Sequence, residues 1–146
     1  MAHPRSIRFD SSVETRLASM VARHPGLSMS SMAARLVDEG LRMDEHPGVF
    51  FRQGPTGRRA TLVAGPDVWE VIRAVQSGRA EEPELGESEL LEMVADTSGV
   101  PLRLIRAAID YWAAHPTEID GLIADAERFE AEKYRAWERT NELLNR

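Results

Sequence analysis

Few residues in this sequence stand at spacings that do chemistry, and the first to weigh are its four histidines. Histidine ligates metals and relays protons, but here each one directly precedes a proline: His3-Pro4, His24-Pro25, His46-Pro47 and His115-Pro116. None has a second ligand at the spacing that sets two donors on one helix face. Proline drives the residue before it out of the α region, so the four pairs read as breaks between elements and no metal is expected. Gly54 and Gly57, followed by Arg58 and Arg59, can cradle a phosphate, but no Gly-Lys-Ser/Thr follows and a turn is the plainer reading. The Asp and Glu residues sit in solvated runs, and no nucleophile is paired with a base. The absence of cysteine excludes disulfides and thiolate chemistry and is compatible with a reducing compartment. The expectation is a protein that is not an enzyme, with no catalytic residues and no cofactor.

Charge is more informative. The net charge of −6 runs against the basic footprint of a nucleic-acid binder, but its distribution is uneven. Residues 1–45 hold six arginines against six acids, and residues 46–80 hold five arginines against two. Residues 81–116 then carry eight acids against two arginines, and residues 117–146 eight acids against five basic groups. A neutral-to-basic front and an acidic remainder predict two tasks, nucleic acid in front and a different partner behind. Arg58 and Arg59 are candidate phosphate contacts in the basic stretch. No apolar run approaches the roughly 20 residues of a bilayer span, and residues 1–10 lack the apolar stretch of a signal peptide. The chain reads as cytoplasmic, with no membrane partner.

The elements that position these residues follow from hydrophobic period. Ser6-Ile7-Arg8-Phe9-Asp10 alternates polar and apolar, as in a short strand. Ser11 or Ser12 caps a first helix with Val13, Leu17, Met20 and Val21 on its apolar face; His24-Pro25-Gly26 turns the chain. Ser28 or Ser30 caps a second helix carrying Met29, Met32, Ala33, Leu36, Val37 and Leu41. One five-residue strand is not stable alone, so the economical solution is a homodimer or higher homo-oligomer whose partner chain supplies the second strand.

That order of elements resembles the ribbon-helix-helix family over about the first 43 residues. Arg5-Ser6-Ile7-Arg8-Phe9-Asp10 stands where the family has its ribbon, and Gly26-Leu27-Ser28-Met29-Ser30 where it has its interhelix turn. The resemblance implies operator DNA as partner, with the two-stranded ribbon in the major groove. Ser6 and Arg8 would then read bases, Arg5 would lie near a phosphate, and Ser28 and Ser30 would hold a backbone phosphate at the opening of the second helix. Ile7 and Phe9 would face the dimer core.

Beyond residue 46, Val49–Arg52 and Arg59–Val63 flank a turn over 53–58 and read as a β-hairpin. Gly65-Pro66-Asp67 starts a helix with Val68, Trp69, Ile72 and Val75. From Glu87 to Trp112 two helices flank Thr97-Ser98-Gly99, with Pro101 expected at the first helical position and Ala95, Gly99 and Ile105 at helix-turn-helix spacing. The acids Glu87, Glu89, Glu92 and Asp96 on the first of these helices repel phosphate, so this unit is expected to be structural or protein-binding. From Thr117 a helix runs toward Arg146 with an apolar stripe that includes Phe129, Tyr134 and Trp137. Little chain remains to cover that end of the stripe, which serves either self-association or the groove of a partner protein.

Residues 47–122 resemble a second family, the small trihelical domain called domain of unknown function 433, through Gly57-Arg58-Arg59-Ala60, Asp67–Ile72, Leu102–Tyr111 and His115–Asp120. Members resemble antitoxins of the VapB type paired with PIN-like toxins, so the resemblance implies a cognate toxin as partner. This sequence departs from the short stand-alone form by its own N-terminal head and by a charged insert over 76–86. The expected fold is mainly α. It comprises a ribbon-helix-helix domain over 1–45, a β-hairpin with a helix-turn-helix-like domain over 46–116, and an amphipathic helix over 117–146. The expected function is an antitoxin that dimerises on operator DNA, represses its own operon and grips a toxin through Phe129, Tyr134 and Trp137. A free-standing regulator whose C-terminal half oligomerises or senses a ligand is the alternative.

Overall fold

The computed structural model describes residues 3–55, 57–63 and 65–146. Among them are six helices and one two-stranded antiparallel sheet. The chain divides into two compact units, Met1–Asp44 and Glu45–Arg146.

In the first unit, His3 to Asp10 carries neither helix nor strand, and Asp10 itself is extended. The expected strand over Ser6–Asp10 is therefore not formed, and the physical reason is simple: a ladder needs a second backbone, and the described residues of this unit hold no strand to pair with it. Helix α1 (Ser11–Ala22) is capped by Asp10, whose carboxylate accepts from the Val13 backbone N–H at 2.9 Å. The sequence placed the cap one or two residues later, at Ser11 or Ser12; both residue types cap well, and the backbone leaves the extended region only after Asp10. Gly26, at φ +91°, makes the left-handed turn that a β-carbon would strain. Helix α2 (Met29–Glu45) follows, with Ser28 Oγ accepting from the Ser31 backbone N–H at 3.1 Å. Of the large apolar side chains among the unit's described residues, only Leu17 and Met32 are buried, while Ile7, Val13, Met29, Val37, Leu41 and Met43 are exposed.

In the second unit, β1 (Val49–Gly54) pairs with β2 (Gly57–Leu62) in the register Val49↔Leu62 through Gly54↔Gly57. Val49, Ala60 and Leu62 point into the core from the inner face of this hairpin. Helix α3 (Val68–Glu81) opens on a capping box, the Glu70 carboxylate accepting from the Asp67 backbone N–H at 2.8 Å. Residues 76–81, read in the sequence as the start of an insert, are the last turns of this helix. Arg79 then closes the following bend by donating to the carbonyls of Pro83 and Leu85. Helices α4 (Glu87–Ser98) and α5 (Leu102–Ala114) are joined through Gly99, left-handed at φ +72°. Pro101 caps α5 from outside rather than beginning it, because its ψ of 140° is not helical.

Helix α6 (Pro116–Leu144) starts one residue earlier than the sequence suggested. His115 ends α5 and precedes α6 at φ −133° and ψ 55°, so the break between two long helices is a single residue. Proline explains it, since it excludes the α region for His115 and suits the first helical position itself. The core gathers Ile105, Ala108, Tyr111 and Ile119 around α3 and α4, so the first turns of α6 share one core with the hairpin and helices before them. No helix among the described residues is long and apolar enough to cross a membrane.

Candidate functional site

The residues expected to contact DNA fall into two groups. Arg5, Ser6 and Arg8 lie in the segment before α1 and are exposed, and Ser28 and Ser30 are exposed around the opening of α2. Ser28 is committed to its helix, because its hydroxyl also donates to Ser31 Oγ at 3.0 Å. Beside them, an open groove of about 730 Å³ is lined by Phe9, Val13, Leu17, Met20, Leu36 and Val37. This unit thus exposes Arg5, Ser6 and Arg8 before α1 and Ser28 and Ser30 at the opening of α2, and it carries a largely apolar furrow between α1 and α2.

The hairpin arginines behave differently. Arg52 and Arg59 stand directly opposite one another across the strands, a like-charge pairing that is unfavourable by itself. The N-cap of α3 resolves it: Asp67, only 2% exposed, holds Arg52 Nη2 at 2.8 Å through one carboxylate oxygen and Arg59 Nε at 2.8 Å through the other. Gly54 leaves room for this arrangement, since a β-carbon there would come within 2.7 Å of the Arg59 guanidinium. Arg59, expected to touch DNA, is thereby engaged within the fold, and Arg58 is half-buried on the same strand. Sequence reading saw Asp67 only as the start of a helix. The signal that reveals its second role is the pair of arginines at matched hairpin positions, which require an anion between them.

A second cluster surrounds Tyr111, the largest wholly buried side chain. The rings of His46 and His115 lie 5.2 and 4.7 Å from it and 5.8 Å from each other, and its hydroxyl donates to Glu118 Oε2 at 2.5 Å. Two of the four His-Pro breaks thus meet in space, where their rings pack about the joint between α5 and α6. Trp112 Nε1 donates to Asp120 Oδ1 at 2.8 Å across the same joint. Tyr111→Phe should cost about 1 kcal/mol of stability, the net value of one hydrogen bond whose acceptor can be rehydrated, and denaturant unfolding measures it. The described residues contain no group of three or more His, Asp or Glu able to hold a metal ion.

The third group is Phe129, Tyr134 and Trp137, which are 58, 59 and 58% exposed on α6. Tyr134 and Trp137 stack with ring centroids 5.7 Å apart, and Lys133 Nζ lies 4.7 Å over the Phe129 ring. Arg73, itself packed over Trp69, ties α3 to Glu130 at 2.8 Å. Beyond Glu130 every residue of α6 is exposed apart from the half-buried Asn141. Where α6 passes the hairpin and α3, a groove of about 660 Å³ is walled by Pro55, Trp69, Leu122, Ala126 and Phe129.

No protein-family model, curated protein or solved structure matches this chain.

Proposed function

We propose that the chain is a DNA-binding dimer that represses its own operon and, as an antitoxin, neutralises a cognate toxin of the PIN-like ribonuclease type. The observation that carries this reading is the incomplete core of the first unit. Two buried apolar side chains and an open apolar groove leave it far short of the burial a small unit needs for stability, and a second copy seated on that groove supplies the remainder. Two copies set with their extended segments antiparallel also supply the ladder that one chain lacks. Such a ribbon fits the major groove, with Ile7 and Phe9 inward and Ser6 and Arg8 toward the bases. Arg5, Ser28 and Ser30 then lie near the phosphates, where charge and backbone amides orient the complex.

The second unit takes the protein partner. Its α4 carries Glu87 and Glu89 in the first turn and no base in the last, which disfavours a nucleic-acid surface there. A toxin that binds RNA carries a basic path, which an acidic partner can occupy. The test is an operator titration at one salt concentration. Arg8→Ala should weaken binding by about 1 to 3 kcal/mol, the value of a good base contact, without changing the thermal melt. Equal affinities would remove Arg8 from the reading face.

A further inference from the structure

We infer that β1 pairs along its outer edge with β1 of a second copy of this chain, antiparallel about Phe51, so that the two-stranded sheets of both copies join into one. The inference rests on the dimer reading above and adds to that dimer a second contact, in the Glu45–Arg146 unit. The hairpin register fixes which backbone groups point outward. Val63 N–H donates to Gly48 C=O at 3.1 Å, and the pairs of an antiparallel ladder alternate between bonded and non-bonded. Phe50↔Thr61 and Arg52↔Arg59 are therefore bonded pairs, and the N–H and C=O of Phe51 and Gln53 face away from β2. Val49 N–H, which points the same way, is taken by His46 C=O at 3.0 Å, but among the described residues no carbonyl takes the N–H of Phe51 or Gln53.

The two edges of the hairpin differ. On β2, Leu62 N–H donates to Pro66 C=O at 3.0 Å and Thr61 is bridged to Asp67, so the turn into α3 covers that edge there. On β1 the register runs unbroken from Val49 to Gly54, with no bulge, proline, lysine or acid to turn another strand away. Phe50 is 47% exposed on the face opposite the core. Pairing about Phe51 is self-complementary: the two Phe51 residues exchange both bonds, and each Gln53 N–H meets the Val49 C=O of the other copy. On the outer face each Arg52 then lies opposite the other copy's Phe50, where a guanidinium over an aromatic ring is favourable and no arginine opposes an arginine. The size of the contact selects its occupant. A few ladder bonds and one exposed phenyl on each side fall well short of the roughly 800 Å² per side of a standard interface, so a strand arriving free from solution does not stay. A copy already joined through the first unit is not free, and it meets this edge at an effective concentration on the order of mM, which holds a contact of that strength.

The sequence has no cysteine, so Phe50→Cys and Gln53→Cys each give the full chain a single thiol at an exposed strand position. In the joined sheet the two residues 50 are diagonal neighbours about 7–8 Å apart, whereas the two residues 53 lie about 13 Å apart or more. A thiol cross-linker spanning about 8 Å should therefore join Phe50→Cys chains at least about tenfold more than Gln53→Cys chains. Adding Gln53→Pro to Phe50→Cys should cut that yield about tenfold with the thermal melt unchanged, because an edge strand accepts proline where its N–H faces outward, while the ring removes the donor and blocks a second strand. Val37→Glu, which separates the copies, should abolish the product at position 50. Equal yields at the two positions, no product at position 50 in a chain that sediments as a dimer, or a yield indifferent to Gln53→Pro would overturn the inference and leave the dimer reading in place. A parent chain that sediments as a monomer and gives no product removes both. A product that persists in Val37→Glu keeps the joined sheet and removes the groove of the first unit as the contact that holds the copies together.

Discussion

Replacing Asp67 by alanine is expected to destabilise the Glu45–Arg146 unit by about 3 kcal/mol, near the lower end of the range for breaking a buried ion pair. Three interactions fail together. The carboxylate accepts from Arg52 and forms an ion pair with Arg59, the two brought face to face by the hairpin register, and it caps α3 through the box with Glu70. Its loss leaves Arg59, mostly buried, facing Arg52 with no anion between them. Arg52 is half exposed and recovers water, which keeps the cost from the top of the range. For a unit of this size the melting temperature should fall by about 12 °C or more. Replacing Asp67, Arg52 and Arg59 together by apolar residues of similar volume should recover much of the loss, because the penalty lies in the stranded charges. Denaturant unfolding of the single and triple variants measures both effects, and an Asp67→Ala variant within about 0.5 kcal/mol of the parent would mean that the network contributes nothing.

Local signals made much of the fold legible. The period of Val68, Ile72 and Val75, the glycine at 99 and the prolines at 101 and 116 each act within a few residues of their own position, so helices α3 to α6 could be read directly. Boundaries slipped where two residues competed for one role. Asp10 and Ser11 are both good caps, and the extended backbone at Asp10 decided between them. The stretch 76–86 reads as an insert by composition, yet Gly78 is buried against Met93, Leu90 and Val94, and that tertiary contact keeps its polar neighbours helical.

The candidate sites were legible in proportion to how local they are. Phe129, Tyr134 and Trp137 were legible because they belong to the apolar stripe of a single helix. The fate of Arg59 depends on Asp67 eight positions away and on which residue the hairpin sets opposite it, and neither is visible before the register is known. The meeting of His46 with His115 around Tyr111 spans about half the chain, and no local pattern announces it. Residues 6–10 mark a different limit, since their alternation has the period of a strand and yet residues 3–10 carry no helix or strand.

The largest functional effect is expected from Val37→Glu. In the single chain Val37 is 51% exposed on α2, and a surface change of this kind normally shifts stability by no more than about 0.5 kcal/mol. The side chain also lines the groove beside Leu36, Met20 and Leu17. If a second copy fills that groove, the substitution buries a carboxylate without a partner, and a symmetric dimer meets the cost twice, several kcal/mol for each ion. The variant should therefore sediment as a monomer, lose operator affinity by at least about 100-fold and leave residues 3–10 without a ladder, while the Glu45–Arg146 unit melts as in the parent. The same result cannot come from damage to a self-sufficient fold, because an exposed valine on one would accept glutamate without loss. A Val37→Glu protein that keeps the parent's mass and operator affinity would place the dimer contact elsewhere and remove the incomplete core of the first unit as support for the proposed function.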